Sequence, residues 1–390
     1  MIDTLYGYYA TQDVRPTYAA FSVSGQLEKY SNLRRHVFNR LQLPPAMFAE
    51  RRVLEFGPDT GENSLVFAQW GARLTLVEPD AEAHTFINRY FDRFGLRDRL
   101  DGVIAASLLD YAPPHQFDIV DAEGFIYTVQ PTNKWIEKTG SCLKRDGLLI
   151  VSYMELYGSF IELLQKAIHS CAIRARRSVA RIEMAKELFL PKWESIPHTR
   201  SLESWFMDVI ENPFVRRKYC IDPVDLLTEA YHGGFRLYSS WPNYRDTLNM
   251  RWIKSSVTDE EERQSATSFI EQSRLSHLLG TKCFLPTVDV KLNGNLDKLI
   301  RLTDKLIDSW SEEACAEAAA CTLAIEQGMQ RAVYDDGGGK ARDVATMIKT
   351  VFELMILGQD KPLVDFCRTD ATFISTWGMP AHYAVLQRTV

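Results

Sequence analysis

The chain of 390 residues has no C-x-x-C pair and no repeating cysteine spacing: Cys142, Cys171, Cys220, Cys283, Cys315, Cys321 and Cys367 lie scattered. An odd, unpatterned set excludes a disulfide scaffold and reads as reduced thiols in the cytoplasm. No group of histidines, cysteines and carboxylates has metal-ligand spacing, so no required metal is expected. Missing too is any apolar run long enough to span a bilayer. The opening Met1-Ile2-Asp3-Thr4-Leu5-Tyr6 lacks the basic region and apolar core of a secretory signal. Basic residues are not in excess, and a formal net charge of −6 argues against a broad nucleic-acid surface. What remains is a globular composition, 46% hydrophobic and 25% charged, adequate for a full core.

Against these absences one stretch stands out, Val53-Leu54-Glu55-Phe56-Gly57-Pro58-Asp59-Thr60-Gly61-Glu62-Asn63. An apolar strand ends in an acid, passes a glycine-bearing turn and opens into a helix. About twenty residues on, Leu74-Thr75-Leu76-Val77 ends in a second acid, Glu78. In open α/β sheets this pairing builds a nucleoside site: glycines let backbone approach the ligand, and the second acid accepts bonds from ribose hydroxyls. The G-x-G-x-x-G fingerprint of dinucleotide binding is not met, because Pro58-Asp59-Thr60 separates Gly57 from Gly61. Glu55, two residues before Gly57, would repel a diphosphate and suit a ligand carrying an ammonium group. Read for local structure alone, Gly57 and Gly61 could simply make a turn, and Glu78 could be a solvated strand end.

The surrounding pattern alternates. Strands are predicted at Val53–Phe56, Arg73–Glu78, Gly102–Ala106, Phe117–Asp121 and Leu148–Tyr153, with helices at Glu62–Trp70, Ala81–Phe94 and Lys134–Leu143. Short strands alternating with helices imply a parallel sheet with right-handed crossovers. Residues 1–50 read as a helical segment that would fold over the site as a lid, with helical periodicity from Gly25 to Leu41. Residues 155–220 are too periodic for a loop and read as a helical insertion, with Phe160–Ile173 and Arg177–Phe189 as helices. Phe235–Ser239 and Asn249–Lys254 look like a closing strand pair, which ends the main domain, 51–254. After the acidic Asp259-Glu260-Glu261-Glu262, residues 255–390 read as a mainly helical appendage, with helices at Leu296–Ser309, Glu312–Tyr334 and Lys340–Leu357. The alanine-rich Ala314–Ala320 suggests close helix packing, and Trp377–Gln387 alternates like a strand.

Four ordered segments resemble the class I S-adenosylmethionine-dependent methyltransferases. Glu55 to Asn63 is similar to their glycine motif, and Leu76-Val77-Glu78-Pro79-Asp80 to the second motif. Phe117-Asp118-Ile119-Val120-Asp121-Ala122-Glu123-Gly124 resembles the fourth strand, and Leu143-Lys144-Arg145-Asp146-Gly147-Leu148 the turn into the fifth. The resemblance implies an α/β fold, a doubly wound, mostly parallel Rossmann-like seven-stranded sheet, with S-adenosyl-L-methionine as cofactor. It implies that Glu55, Gly57, Asp59 and Gly61 lie at the amino acid part, Glu78 at the ribose, Ser107 and Leu108 beside adenine, and Glu123 and Gly124 at the methionine end. Two positions depart from the pattern. Asp59 replaces the middle glycine, a substitution a left-handed turn tolerates, and Ser107 stands where an acid is usual.

Methyl transfer from a sulfonium is an in-line displacement, so positioning matters more than acid–base chemistry. Glu123 and Tyr127, at the carboxyl end of the fourth strand, and His198 as a base near neutral pH are the catalytic candidates. Arg200 and Arg15, which would pair anions, and Trp205, which would stack on a sugar, are the substrate-binding candidates. The expected activity is methyl transfer to a small molecule, at a hydroxyl of a sugar, glycan or secondary metabolite, with a homodimer formed through the C-terminal helices and no nucleic-acid or membrane partner. Two rivals are a nicotinamide-dependent oxidoreductase, disfavoured by Glu55, and a catalytically degenerate scaffold, favoured by Asp59 and Ser107.

Overall fold

The computed structural model describes residues 4–12, 21, 23–196, 201–246, 254, 257–334, 338–358 and 360–390. The chain divides into two compact units: a sheet unit of 1–153, 223–267 and 382–390, and a helical unit of 154–222 and 268–381.

Helices α1 (Leu5–Gln12) and α2 (Ser24–Arg40) precede β1 (Arg52–Phe56), α3 (Glu62–Gln69), β2 (Arg73–Val77), α4 (Ala81–Arg93), β3 (Leu100–Ile104), β4 (Phe117–Ala122), α5 (Thr132–Cys142) and β5 (Leu143–Met154). Next come α6 (Phe160–Ala175), α7 (Arg181–Glu194) and α8 (Leu202–Trp205), then α9 (Pro223–His232) and β6 (Phe235–Trp241). The rest is α10 (Asp259–Leu279), β7 (Cys283–Phe284), α11 (Val290–Asp308), α12 (Glu312–Met329), β8 (Val333–Tyr334), α13 (Gly339–Ile356), α14 (Asp360–Thr369), α15 (Ala371–Ser375) and β9 (Ala381–Arg388).

Seven strands make the main sheet in the order β3-β2-β1-β4-β5-β9-β6, parallel among β1 to β5 and antiparallel between β6 and β9. β1 is central and apolar throughout except at Arg52 and Glu55, as a strand covered on both faces must be. β3 lies at an edge, half exposed, and the register shift between Leu74 and Thr75 starts it at Leu100, ahead of the predicted Gly102. The direction of winding reverses between β1 and β4. That switch point opens a crevice at the strands' carboxyl ends.

An aromatic cluster fixes α2 to α3. Phe48 stacks on Phe67 at 5.1 Å, and Phe38 meets Phe48, Phe67 and Trp70 edge-on at 5.3–5.5 Å. One turn before Phe38, the same helix carries Arg34, whose guanidinium lies 4.8 Å over the Phe38 ring.

The helical unit has its own core, including Phe160, Leu164, Leu188, Phe189, Leu296 and Ile325. α12 packs on α11 and α13, with Ala314 and Ala318 buried, as the alanine run suggested. Gly328 makes the approach possible: a Cβ there would meet Leu292 at 2.5 Å.

The predicted domain boundaries are redrawn. Residues 154–222 and most of the supposed appendage form one unit, because their apolar faces share one core. β6 pairs with β9, Phe235 opposite Arg388, where the sequence suggested Asn249–Lys254; of that stretch only Lys254 is described. From Ala381 on, the alternation predicted over Trp377–Gln387 thus belongs to the sheet.

Candidate functional site

At the end of β1 the chain turns through three left-handed residues, Gly57 (φ 65°), Asp59 (φ 48°) and Gly61 (φ 91°). Glycine is required at the first: a Cβ on Gly57 would lie 2.9 Å from the Phe125 ring. Asp59 takes the middle position in the αL region, where aspartate is better tolerated than most residues. Its backbone N–H donates to Glu78 Oε2 at 3.1 Å, and the Asp80 N–H donates to Glu78 Oε1 at 2.9 Å. Gly57 N–H meets the Val77 carbonyl at 2.9 Å, so the turn is tied to the end of β2. Glu78 remains buried, and burial pushes its carboxyl up to about 7 despite those two donors.

Glu55 is buried at 2% exposure, and the Ser64 hydroxyl of α3 donates to its Oε2 at 2.6 Å. Burial drives the carboxyl up to about 8, with the negative charges of Glu123 and Glu78 adding to the effect and Ser64 and Arg34 opposing it. Across the switch point Glu55 lies in register with Asp121 of β4. Two residues on, Glu123 receives a bidentate Arg34, Nη1 to Oε2 at 2.9 Å and Nη2 to Oε1 at 2.5 Å. The Tyr383 hydroxyl of β9 donates to the same Oε2 at 2.9 Å. Burial alone would raise Glu123, but the Arg34 charge and hydrogen bonds outweigh it and hold the carboxyl low. Gly124, at φ 78°, donates its N–H to Ser152 Oγ at 2.8 Å. Above α3, the Tyr30 hydroxyl donates to Asn63 Oδ1 at 2.8 Å, a second tie between α2 and the turn-to-helix junction.

The structure therefore gathers Glu55, Gly57, Asp59, Gly61, Glu78, Glu123 and Gly124 at the carboxyl ends of β1, β2 and β4. Ser107 and Leu108 follow β3; the Ser107 hydroxyl is engaged by Asp110 Oδ2 at 2.6 Å, and Leu108 is buried. Tyr127 is buried in the short turn Ile126–Thr128. Two expectations need correction. Glu123 is no base, since a carboxylate held by a guanidinium and a phenol has little affinity for a proton. Trp205 is not offered to a sugar: it is 4% exposed in the core of the helical unit, edge-on to Phe189 and Trp377. Arg15, His198 and Arg200 fall outside the described residues.

Three site residues escaped the sequence reading. Arg34 looked like one more charge on an amphipathic helix, although its position one turn before Phe38 puts it on the buried face. Tyr383 lies on a strand assigned to the appendage. Asp121 sat inside the recognised fourth-strand motif but carried no assigned role.

The arrangement favours a ligand with positive charge near Glu55 and hydroxyls near Glu78. Among the described residues, the buried acids Glu55, Glu78 and Asp121, together with Glu123, outnumber the Arg34 guanidinium, and a bare-backbone turn lies beside them. A family model described as a methyltransferase domain matches residues 29–215, just under half of the chain. Among solved structures, the chain is similar to the N-methyltransferase NodS from Bradyrhizobium japonicum in complex with S-adenosyl-L-homocysteine, at 15% identity over 40% of this chain and 74% of that one, with a TM-score of 0.31. A glycopeptide N-methyltransferase, MtfA, complexed with sinefungin, matches at 16% identity over 33% of this chain and a TM-score of 0.29; the chain spans 51% of its length. The CcbJ methyltransferase from Streptomyces caelestis matches at 17% identity over 30% of this chain and 52% of that one, with a TM-score of 0.27. A comparison with curated protein sequences found no match.

Proposed function

We propose that the chain is a class I S-adenosylmethionine-dependent methyltransferase, whose sheet unit binds S-adenosyl-L-methionine and transfers the methyl group to a small-molecule acceptor; the methyltransferase-domain match over residues 29–215 supports this reading. The observation that carries this reading is the left-handed Gly57-Asp59-Gly61 turn with the Glu78 carboxylate bonded across it. When bound, the cofactor supplies an electrophilic methyl on a sulfonium. The chain's own part is to hold and orient. Gly57 and Gly61 keep side chains out of the turn. Glu78 accepts bonds from the ribose hydroxyls with the lone pairs that its two backbone donors leave free. Glu55 faces the ammonium group, and Gly124 closes the methionine end. The acid-rich crevice disfavours a diphosphate, hence a nicotinamide dinucleotide. The persistence of the turn with Asp59 in it counts against a degenerate scaffold.

A hydroxyl of a sugar, glycan or secondary metabolite is the acceptor class to test first. Glu123 is held low, and the raised carboxyls of Glu55 and Glu78 are assigned to the cofactor, so the acceptor is proposed to react chiefly through proximity. Among the described residues no helix is long and apolar enough to cross a membrane. All seven thiols are free, in keeping with the cytoplasm as the proposed compartment. A homodimer through the C-terminal helices is the assembly to seek by light scattering. Titration calorimetry with S-adenosylmethionine, S-adenosylhomocysteine and NAD tests the reading: binding of the first two and not the third is expected, and no heat with any of them overturns it. Glu78→Ala is expected to weaken cofactor affinity about tenfold with an unchanged circular dichroism spectrum.

A further inference from the structure

We propose that Asp121 is a neutral carboxylic acid sharing a single proton with Glu123, and that this proton fixes Glu123 as the anchor to which Arg34 and Tyr383 bind. Asp121 is 1% exposed, and neither of its oxygens accepts a hydrogen bond from any donor among the described residues. It nevertheless lies within hydrogen-bonding reach of Glu123. A carboxylate has no donor, so two carboxyl groups in reach of each other bond only if one of them carries a proton. The surroundings decide which. Glu123 faces the Arg34 guanidinium of α2 and the Tyr383 hydroxyl of β9, both of which favour its charge. Asp121 faces Glu55 of β1 in register and Glu123 beyond its own strand, both acids, with the Arg34 guanidinium opposing them. The proton therefore stays on Asp121. Burial and the two neighbouring carboxylates both push Asp121 well above the ordinary carboxylate range.

Charge balance gives the pair its role. Arg34 and Glu123 neutralise each other, so an ionised Asp121 would be an uncompensated buried charge beside them. Protonated, Asp121 donates the hydrogen bond that orients Glu123 from below, while Arg34 and Tyr383 hold it from α2 and β9. It is thus a positioning residue, which touches the crevice only through Glu123. The protonation state stands by itself; its consequence for cofactor affinity rests on the methyltransferase reading.

Infrared difference spectroscopy of the full chain, wild type minus Asp121→Asn at about pH 7, tests the protonation directly, since the carboxyl bands common to both chains cancel in the difference. A protonated-carboxyl band belonging to Asp121 is expected, and its absence overturns the proposal. Calorimetry with S-adenosylmethionine then tests the role. Asp121→Asn, whose amide still donates to Glu123, is expected to keep affinity within about threefold, while Asp121→Leu loses about tenfold or more. Equal affinity in the two variants overturns the role. A wild-type chain that binds no S-adenosylmethionine refutes the methyltransferase reading and leaves the infrared result to judge Asp121.

Discussion

The two units bury charge in opposite ways. In the helical unit the buried cations Lys166 and Lys192 and the half-buried Arg216 are each bonded to backbone oxygens or to carboxylates. Lys166 donates to the Asn212 carbonyl at 2.6 Å, and Lys192 donates to the carbonyls of Phe373 and Thr376 while lying over the Trp377 ring. Arg216 is shared between Asp304 and Asp308. In the sheet unit the buried charge is acidic and crowded: Glu55, Asp121 and Glu123 converge on a single guanidinium. A polar group buried for stability finds its partners within the fold. Acids left crowded against one cation are costly, and such arrangements gather where a ligand or a proton completes them. The helical unit's charges thus read as architecture and the sheet unit's as chemistry.

The sharpest way to break that contrast is Arg34→Ala. It strands Glu123 as a buried unpaired carboxylate and should cost roughly 3–5 kcal/mol in urea denaturation, with cofactor binding lost. A small cost would mean that the acidic group is solvated after all. Lys192→Met in the helical unit leaves two carbonyls unbonded and is expected to cost about 1–3 kcal/mol. Cofactor affinity measured by calorimetry should not change, and a change would erase the division of labour. Gly57→Ala is expected to destabilise by about 1–2 kcal/mol, because φ of 65° penalises a Cβ, yet to weaken cofactor binding far more than Lys192→Met does.

A further effect is on pH dependence. Glu78 and Glu55 are raised to about 7 and 8, burial being the leading cause for each. A cationic ligand favours their ionised forms, so S-adenosylmethionine affinity should rise as pH climbs through 7 and 8 and then level off. Stability should run the other way. The folded chain retains protons that the unfolded chain sheds near its ordinary carboxylate pKa of about 4.5, so stability declines from there up to about 8. Titrations across this range, with and without cofactor, check both signs. Affinity that fell with pH would remove Glu55 from the ammonium end.

Much of the sheet unit was legible because its signals are local. Strand, glycine turn, helix and second acid follow one another within Val53–Glu78, and the left-handed Asp59 obeys a rule about single residues. The site's closure was not legible, because it is made by long-range contacts. Nothing near Glu123 in the sequence points to Arg34 or Tyr383. The pairing of β6 with β9 similarly joins segments separated by most of the helical unit, and the nearer partner the sequence offered, Asn249–Lys254, lies outside the described residues except for Lys254. Trp205 misled for a different reason: tryptophan beside arginine and histidine suits a sugar site and a core edge equally, and only packing against Phe189 and Trp377 separates the two.

β9 enters the sheet between β5 and β6, although it is synthesised after both. While a nascent chain is still shorter than Ala381, β6 has no antiparallel neighbour and Glu123 lacks its phenol. The sheet unit would therefore mature only after the intervening helices have been made, and a ribosome stalled among those helices would leave an open sheet edge exposed to other chains.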